Sequence, residues 1–313
     1  MKVRKRGIAR GAGIKGAKIT TAAVAAASLG VFGVQALTGD IAGASPQTAK
    51  AQGGALSGCS APDGQGYWQV SASGGVFTNG AAQFYGSEGG TALNKPIVGI
   101  APSVDGRGYW LVASDGGVFS FGDAPFEGST GAIHLNAPIV GIVPTPDGQG
   151  YWLVASDGGV FAFGDATFYG SEGATVLNKP IVGMAATKDG RGYWLVAADG
   201  GIFSFGDATF YGSLGAVALN KPIVAMAPAR NGNGYVLAAS DGGIFAFGAS
   251  HFYGSAASSP PNSPVVGVAG TFTGNGYTLT TSGGGVYNYG DSSFCGVSGS
   301  ASSNSPIVGL AFY

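Results

Sequence analysis

Four acidic or histidine side chains stand out because they interrupt an otherwise regular sequence. Glu127 and His134 lie seven residues apart and form the only acid–histidine pair that is close along the chain. Glu88 and Glu172 occupy equivalent positions of the repeat described below. Carboxylates and imidazoles can transfer protons or accept hydrogen bonds from a ligand. These four residues are therefore candidate binding residues, and ordinary variation of a surface loop is the alternative explanation.

Residue counts argue against the common catalytic and metal-binding arrangements. The chain has three glutamates, all in outer-strand or connecting-loop positions, and two histidines in unrelated repeat positions. Glycosidases need carboxylates that converge at about 5 to 10 Å, and no Ser–His–Asp set is evident. Two histidines without neighbouring cysteines do not indicate zinc, and no Asp-x-Asp-x-Asp spacing indicates calcium. We therefore expect no catalytic residues, no metal and no cofactor.

One repeated unit must position these side chains. A Gly-Tyr pair recurs with a period of 42 residues, at Gly66, Gly108, Gly150, Gly192, Gly234 and Gly276. A fixed period of this length indicates a repeat architecture. Gly accounts for 60 of 313 residues, but 13 Tyr, 18 Phe and 4 Trp at regular spacings are unlike a disordered chain. The glycines therefore indicate the turns of an all-β protein.

Residues 139–170 illustrate the unit, which has four short apolar runs: IVGIVP, GYWLVA, VFAFG and FYG. Asp-Gly pairs between the runs favour hairpins. The second run is apolar on both sides, so each small sheet must be covered on both faces. A propeller achieves this by stacking each blade between two neighbours. We predict an all-β fold: a six-bladed β-propeller of 42-residue, four-stranded repeats over residues 55–313.

The ends of the chain favour a closed ring. The first repeat has only the degraded run Ala55 to Gly58 in place of a first strand, whereas Pro306 to Tyr313 form a first strand with no hairpin after it. A C-terminal strand that completes the first blade would close the ring, and an open solenoid would instead need polar caps. Tandem β-trefoils remain the alternative, although repeats 3 and 4 follow each other without a linker.

The two cysteines suit the same closure. Cys59 precedes the first blade and Cys295 lies in the sixth, and these blades are neighbours only in a ring. In an exported protein an even pair of cysteines predicts a disulfide. The alternative is two unrelated buried thiols.

The N-terminal residues have a different composition. Seven Lys and Arg precede an apolar, Ala-rich run from Ile19 to Leu37, and Ala42-Gly43-Ala44 follows as a small-x-small cleavage site. This order predicts a secretory signal peptide over residues 1–44. The alternative is an uncleaved membrane anchor, which would be the only part of the chain expected to contact a membrane. Residues 45–54 read as a polar linker. Beyond residue 44, eight basic and fifteen acidic residues leave a net charge of −7, which argues against a nucleic-acid partner.

Regular polar and aromatic sets belong to the repeat itself. In four of the six repeats an Asp opens a Gly-Gly turn, at Asp115, Asp157, Asp199 and Asp241. We expect each carboxylate to accept backbone N–H groups of its own turn, the alternative being a ring that binds cations or polyols. The four tryptophans at matching mid-strand positions are expected to pack between blades, with sugar stacking as the alternative.

The blocks GYWLVASDGGVFSFGDA and LNKPIVG resemble the Gly-Tyr-Trp-Leu-Val repeats of secreted actinobacterial proteins. The resemblance covers residues 55–313 and implies an extracellular, envelope-associated module with no catalytic residues to transfer. Repeats 5 and 6 depart from it, because Val236 and Thr278 replace the tryptophan, and Gly283 to Gly285 replace Asp-Gly-Gly.

The function expected from these features is a secreted binding or scaffold module at the cell wall. Its partner would be an envelope polysaccharide or a surface protein, and contact would be made through the connecting loops: 87–95, 129–137, 171–179, 213–221, 255–263 and 297–305. A purely structural wall protein and a hydrolase acting at the propeller funnel are the alternatives.

Overall fold

The computed structural model describes residues 66–296 and 305–312, which form eighteen β-strands. Within these ranges no helix is long and apolar enough to cross a membrane. The strands are β1 (Gly66–Ser71), β2 (Val76–Gly80), β3 (Ile97–Pro102), β4 (Gly108–Ala113), β5 (Val118–Gly122), β6 (Ile139–Pro144), β7 (Gly150–Ala155), β8 (Val160–Gly164), β9 (Ile181–Ala186), β10 (Gly192–Ala197), β11 (Ile202–Gly206), β12 (Ile223–Pro228), β13 (Gly234–Ala239), β14 (Ile244–Gly248), β15 (Val265–Gly270), β16 (Gly276–Thr281), β17 (Val286–Gly290) and β18 (Ile307–Phe312).

The strands form six antiparallel sheets of three strands each. Sheet 1 has the order β18-β1-β2, and sheets 2 to 6 follow along the chain as β3-β4-β5, β6-β7-β8, β9-β10-β11, β12-β13-β14 and β15-β16-β17. The expected all-β repeat is therefore confirmed. The C-terminal strand β18 pairs with β1, with Tyr67 opposite Phe312.

Each middle strand is buried on both faces, because neighbouring sheets pack against it. All six residues of β4, Gly-Tyr-Trp-Leu-Val-Ala, are buried. Trp110 and Val112 of sheet 2 belong to the same core cluster as Tyr151 and Leu153 of sheet 3. Burying these large rings between sheets contributes roughly 1.5–3 kcal/mol per side chain, so contacts between sheets are a main source of stability.

The first strands of successive sheets contact one another. These contacts run from β3 to β6, β9, β12 and β15 in turn, and β18 contacts both β15 and β3. Sheets 1 and 6 also share a hydrogen bond, in which the Tyr67 hydroxyl donates to the Gly296 carbonyl. The same bond links other neighbouring sheets, for example from Tyr151 to Gly128 over 2.6 Å.

The fourth apolar run, Phe-Tyr-Gly, was expected to be a strand, and in the described residues it is not one. Side chains take the place of ladder partners. In sheet 3, Trp152 Nε1 donates to the Thr167 carbonyl at 2.8 Å, and the Tyr193 hydroxyl of the next sheet donates to the Gly170 carbonyl at 2.6 Å. The same hydroxyl accepts the N–H of Tyr169 at 3.1 Å. These bonds satisfy backbone groups that would otherwise need a neighbouring strand.

Several predictions concern residues outside the described ranges. The predicted signal peptide, the predicted linker and Cys59 all lie before residue 66. Cys295 is described: it is 9% exposed, and its carbonyl accepts the N–H of Gly80 at 3.1 Å. This bond places Cys295 beside sheet 1, and its pairing with Cys59 stays a prediction.

Candidate functional site

The sheets have two different ends. At the loop end, the Asp-Gly-Gly turns meet the long connecting loops, as where the Glu172 N–H donates to the Gly158 carbonyl at 2.9 Å. At the turn end, the turn between the first two strands meets the turn after the third strand. Thr145 Oγ1 links the two there, with donor–acceptor distances of 2.8 Å to Asp147 and 3.1 Å to Asp165.

The four candidate binding residues are distributed over both ends. Glu88 and Glu172 are half-buried at the loop end, where they pack against Gly74 and Gly158, and His134 lies exposed in a loop that bonds to the Gly116 turn. Glu127 packs against Gly164 at the turn end of sheet 3. Among the described residues, no hydrogen bond or ion pair joins these side chains. The structure therefore does not assemble them into one site.

Carboxylates of the Asp-Gly-Gly turns bond to their own backbone. Asp115 Oδ1 accepts the N–H of Gly117 at 3.1 Å, and Asp157 Oδ1 accepts that of Gly159 at 2.9 Å. Asp199 and Asp241 make the same bond two residues ahead. Each carboxylate thus stabilises a hairpin turn.

The tryptophans are enclosed between sheets. Trp68, Trp110, Trp152 and Trp194 are at most 1% exposed. Each indole packs at a steep angle against a tyrosine of the next sheet, as Trp110 does with Tyr151 at a centroid distance of 5.8 Å and an interplanar angle of 57°. Burial of this degree argues against sugar stacking, although Trp152 and Trp194 each border one of the cavities described below.

Pairs of aspartates meet at the turn end of the early sheets. The hydrogen bond from Thr145 lowers the pKa of Asp147, whereas burial and the adjacent Asp147 carboxyl raise the pKa of Asp165. A small cavity of about 230 Å³ adjoins this pair and is also lined by Asp189. Since Asp189 also pairs with Arg191, the negative charge of this cavity comes mainly from Asp147 and Asp165.

A larger cavity, of about 690 Å³, opens at the turn ends of sheets 4, 5 and 6. Its polar lining includes Lys188, Arg230, Asn231, Ser250 and His251. Its volume lies within the range of ordinary small-molecule sites, about 300–1,000 Å³. This cavity is the candidate functional site.

The cavity exists because sheet 5 departs from the repeat. In sheets 1 to 4 a tryptophan fills this position, and in sheet 4 Trp194 donates to the Thr209 carbonyl at 2.8 Å. Sheet 5 has Val236 instead, which is smaller and has no N–H to donate. The space of the missing indole joins the groove between the turns, and Trp194 forms one wall.

The charge of the cavity also departs from that of the repeat. Residues 66–312 contain fourteen Asp and Glu and seven Lys and Arg, yet two of the seven cations and none of the carboxylates line the cavity. Asn231 and Ala249 occupy the positions of Asp147 and Asp165. The Arg230 guanidinium lies 4.6 Å from the Phe272 ring centroid, a cation–π contact.

Reasoning from the sequence missed Lys188 and Arg230, although the substitution at Val236 was a visible signal. The position of Lys188 and Arg230 in the repeat carries Val104 in sheet 2 and Pro146 in sheet 3. An alignment of the six repeats shows the signal: around sheet 5 the turn carboxylates are replaced by uncharged residues, and basic residues appear at a nearby position. No protein-family model matches the chain, and no curated protein matches it either.

Proposed function

We propose that the chain is a secreted six-bladed β-propeller, related to the actinobacterial repeat proteins it resembles, that binds a ligand at the cell surface. The ligand is an envelope polysaccharide or a surface protein. The apolar N-terminal run with its small-x-small site supports export.

Contacts between the two ends of the chain support closure of the propeller. β18 pairs with β1 and contacts β3 and β15. The Tyr67 hydroxyl bonds to Gly296 as the equivalent tyrosines bond to the preceding sheet. Tandem trefoils would separate repeats 3 and 4, but β6 of repeat 3 contacts β9 of repeat 4 in the same way as β9 contacts β12 of repeat 5.

The observation that carries the binding function is the 690 Å³ cavity. It lies where sheet 5 loses the repeat's tryptophan and both turn carboxylates, and it combines amide, hydroxyl and cationic side chains. A concave site with a few polar groups is the usual form of a ligand site. The cavity lies at the turn end, so we place ligand binding there and not on the connecting loops.

Retention on purified cell wall tests this function. We expect the full chain to bind saturably and to be released by a soluble envelope polysaccharide or by a solubilised surface protein. A protein that stays in solution at every wall concentration would contradict the binding function.

A structural, self-associating wall protein is the second candidate, because five equivalent phenylalanines are exposed outside the sheets. Each lies just before the tyrosine or glutamate of the fourth run and is 56–59% exposed: Phe84, Phe126, Phe168, Phe210 and Phe252. Repeated apolar groups suit contact between copies. Sedimentation velocity would favour this candidate if the protein formed large assemblies that replacement of these residues by serine dissolved.

The hydrolase alternative has less support. The larger cavity has no carboxylate in its lining, whereas glycoside hydrolysis needs two. The Asp147–Asp165 pair lies near the surface and is linked through Thr145, as part of the turns themselves.

A further inference from the structure

The cavity of sheets 4 to 6 has a charge opposite to that of its counterpart in sheet 3. The smaller cavity there is lined by Asp147, Asp165 and Asp189. The larger cavity is lined by Lys188 and Arg230 and by no carboxylate. Two cavities at equivalent positions of the same repeat therefore favour ligands of opposite charge.

The two cations are not neutralised by a partner. In the described part of the chain the only ion pairs are Arg107–Asp105 and Arg191–Asp189. The nearby Asp291 carboxylate accepts hydrogen bonds from the hydroxyls of Thr271, at 2.8 Å, and of Thr273. The Asp291 carboxylate does not line the cavity, and no ion pair of the described residues joins it to Lys188 or Arg230.

Two further polar groups at the cavity differ from those of the regular sheets in their hydrogen bonding. The buried hydroxyl oxygen of Ser250 has no partner among the described residues. The His251 carbonyl lacks the indole donor that its equivalents have in sheets 1 to 4, because Val236 replaces the tryptophan. Without the indole, the carbonyl of the exposed His251 can accept a hydrogen bond from a hydroxyl of a ligand.

We propose that this cavity binds the negatively charged group of an acidic saccharide, a carboxylate, sulfate or phosphate. Arg230, oriented by the Phe272 ring, and Lys188 bind the anion. The exposed side chains of Asn231 and Asn275 are available to the sugar hydroxyls. The inference rests on the proposed function, because it names the part of an envelope glycan that the site takes.

The first test is calorimetric titration of the full chain with carboxymethyl, sulfated and phosphorylated dextrans, with unmodified dextran as the uncharged control. We expect at least one charged dextran to bind at least tenfold more tightly than dextran, a difference of about 1.4 kcal/mol. Comparing the three identifies the anion. Added salt should weaken binding by screening. Equal affinity for all four polymers, or binding to none, would overturn the proposal.

The variants locate the site. Lys188→Gln/Arg230→Gln should reduce affinity for the preferred dextran at least tenfold. Lys95→Gln/Lys179→Gln, the same change in net charge at the loop end, should leave it unchanged. Val236→Trp restores the indole of sheets 1 to 4 and should block the cavity while keeping the fold. Undiminished binding by Val236→Trp and by the Lys188/Arg230 variant would overturn the proposal.

Cell-wall retention separates this inference from the proposed function. If these variants are retained on purified wall as well as the wild type, the acidic-saccharide site is wrong and the binding function stands. If the wild type itself is not retained, the binding function fails regardless of the dextran results.

Discussion

At the scale of single residues, one tyrosine hydroxyl makes hydrogen bonds that the backbone of a neighbouring strand would otherwise make. Tyr151 donates to the Gly128 carbonyl at 2.6 Å and accepts the Glu127 N–H at 3.2 Å. The hydroxyl therefore satisfies two backbone groups of the preceding repeat. No pairing rule for strands would predict this bond, because its partners lie in a segment without regular structure.

Tyr151→Phe should lower the free energy of unfolding by about 1–3 kcal/mol, since it leaves two backbone groups without a partner. In a protein of this size each kcal/mol corresponds to about 2–4 °C in Tm. Tyr169→Phe is the matched control, because that hydroxyl makes one 3.1 Å bond to Gly190 at a half-buried position. Equal Tm values for the two variants would contradict the role given to Tyr151.

Single residues of the sequence predicted the candidate site only in part. Val236 could be read as a departure from the repeat, but the meaning of the change depends on the neighbouring sheets. A valine in place of tryptophan leaves a cavity only if no side chain of a neighbouring sheet fills the space. The lining from Ala186 to Tyr277 comes from three sheets, and no local pattern links it.

At the scale of elements, the middle strands bury one tyrosine each, and this burial makes stability depend on pH. Burial raises the pKa of the tyrosines in β1, β4, β7, β10, β13 and β16: Tyr67, Tyr109, Tyr151, Tyr193, Tyr235 and Tyr277. Burial also raises the pKa of Tyr289 in β17 to about 12. The folded state therefore favours the neutral phenol.

Below the tyrosine pKa of the unfolded chain, about 10, the free energy of unfolding should keep its full contribution from these buried phenols. It should decrease as the pH rises toward the higher tyrosine pKa values of the folded state. The unfolded chain then releases protons that the folded chain keeps. Denaturant unfolding at increasing pH, followed with tyrosinate absorbance, measures both effects together. A free energy of unfolding that stayed constant between about pH 9 and pH 11 would contradict this prediction.

The hairpins themselves were predictable, because Asp-Gly turns and apolar runs act over a few residues. Asp157, for example, bonds to Gly159 two residues later. The fourth run was predicted wrongly as a strand. Its alternation resembles that of a strand, but its backbone groups are satisfied by Trp and Tyr side chains, one of them from another sheet.

At the scale of the whole molecule, the contact between sheets 1 and 6 differs from the other contacts between sheets. Gln69 Nε2 donates to Thr280 Oγ1 at 2.7 Å and to the Gly284 carbonyl at 3.3 Å, and both side chains are fully buried. The other sheets have leucine at the position of Gln69, as in Leu153. A buried polar pair at this contact would favour the pairing of the two end repeats over other arrangements.

Gln69→Leu alone should lower the free energy of unfolding by about 1–3 kcal/mol, because buried acceptors lose their donor. Gln69→Leu/Thr280→Val, which copies the apolar contact of the other sheets, should recover most of this loss. A double-mutant cycle measured by denaturant unfolding gives the coupling. Additive effects of the two changes would argue against a direct contact.

The predicted Cys59–Cys295 disulfide would join the same two repeats. Because it closes a loop of more than 200 residues, the chain-entropy model gives a stabilisation of about 5 kcal/mol. Cys295→Ser and Cys59→Ser should lower Tm equally, and the double variant should lower it no further. Unchanged melting of either variant, or additive losses, would exclude the disulfide.

The sequence by itself determined the 42-residue period, the positions of the three strands of each sheet and the turns that join them. These features depend on residues that are close together in the sequence, so local sequence patterns predict them. Only the tertiary structure decided how the fourth run is held and where a cavity forms. Both depend on side chains from different sheets: the Tyr193 hydroxyl reaches the preceding repeat, and the space beside Val236 is bounded by Trp194, Arg230 and Tyr277. Contacts of this kind exist only once the sheets have packed.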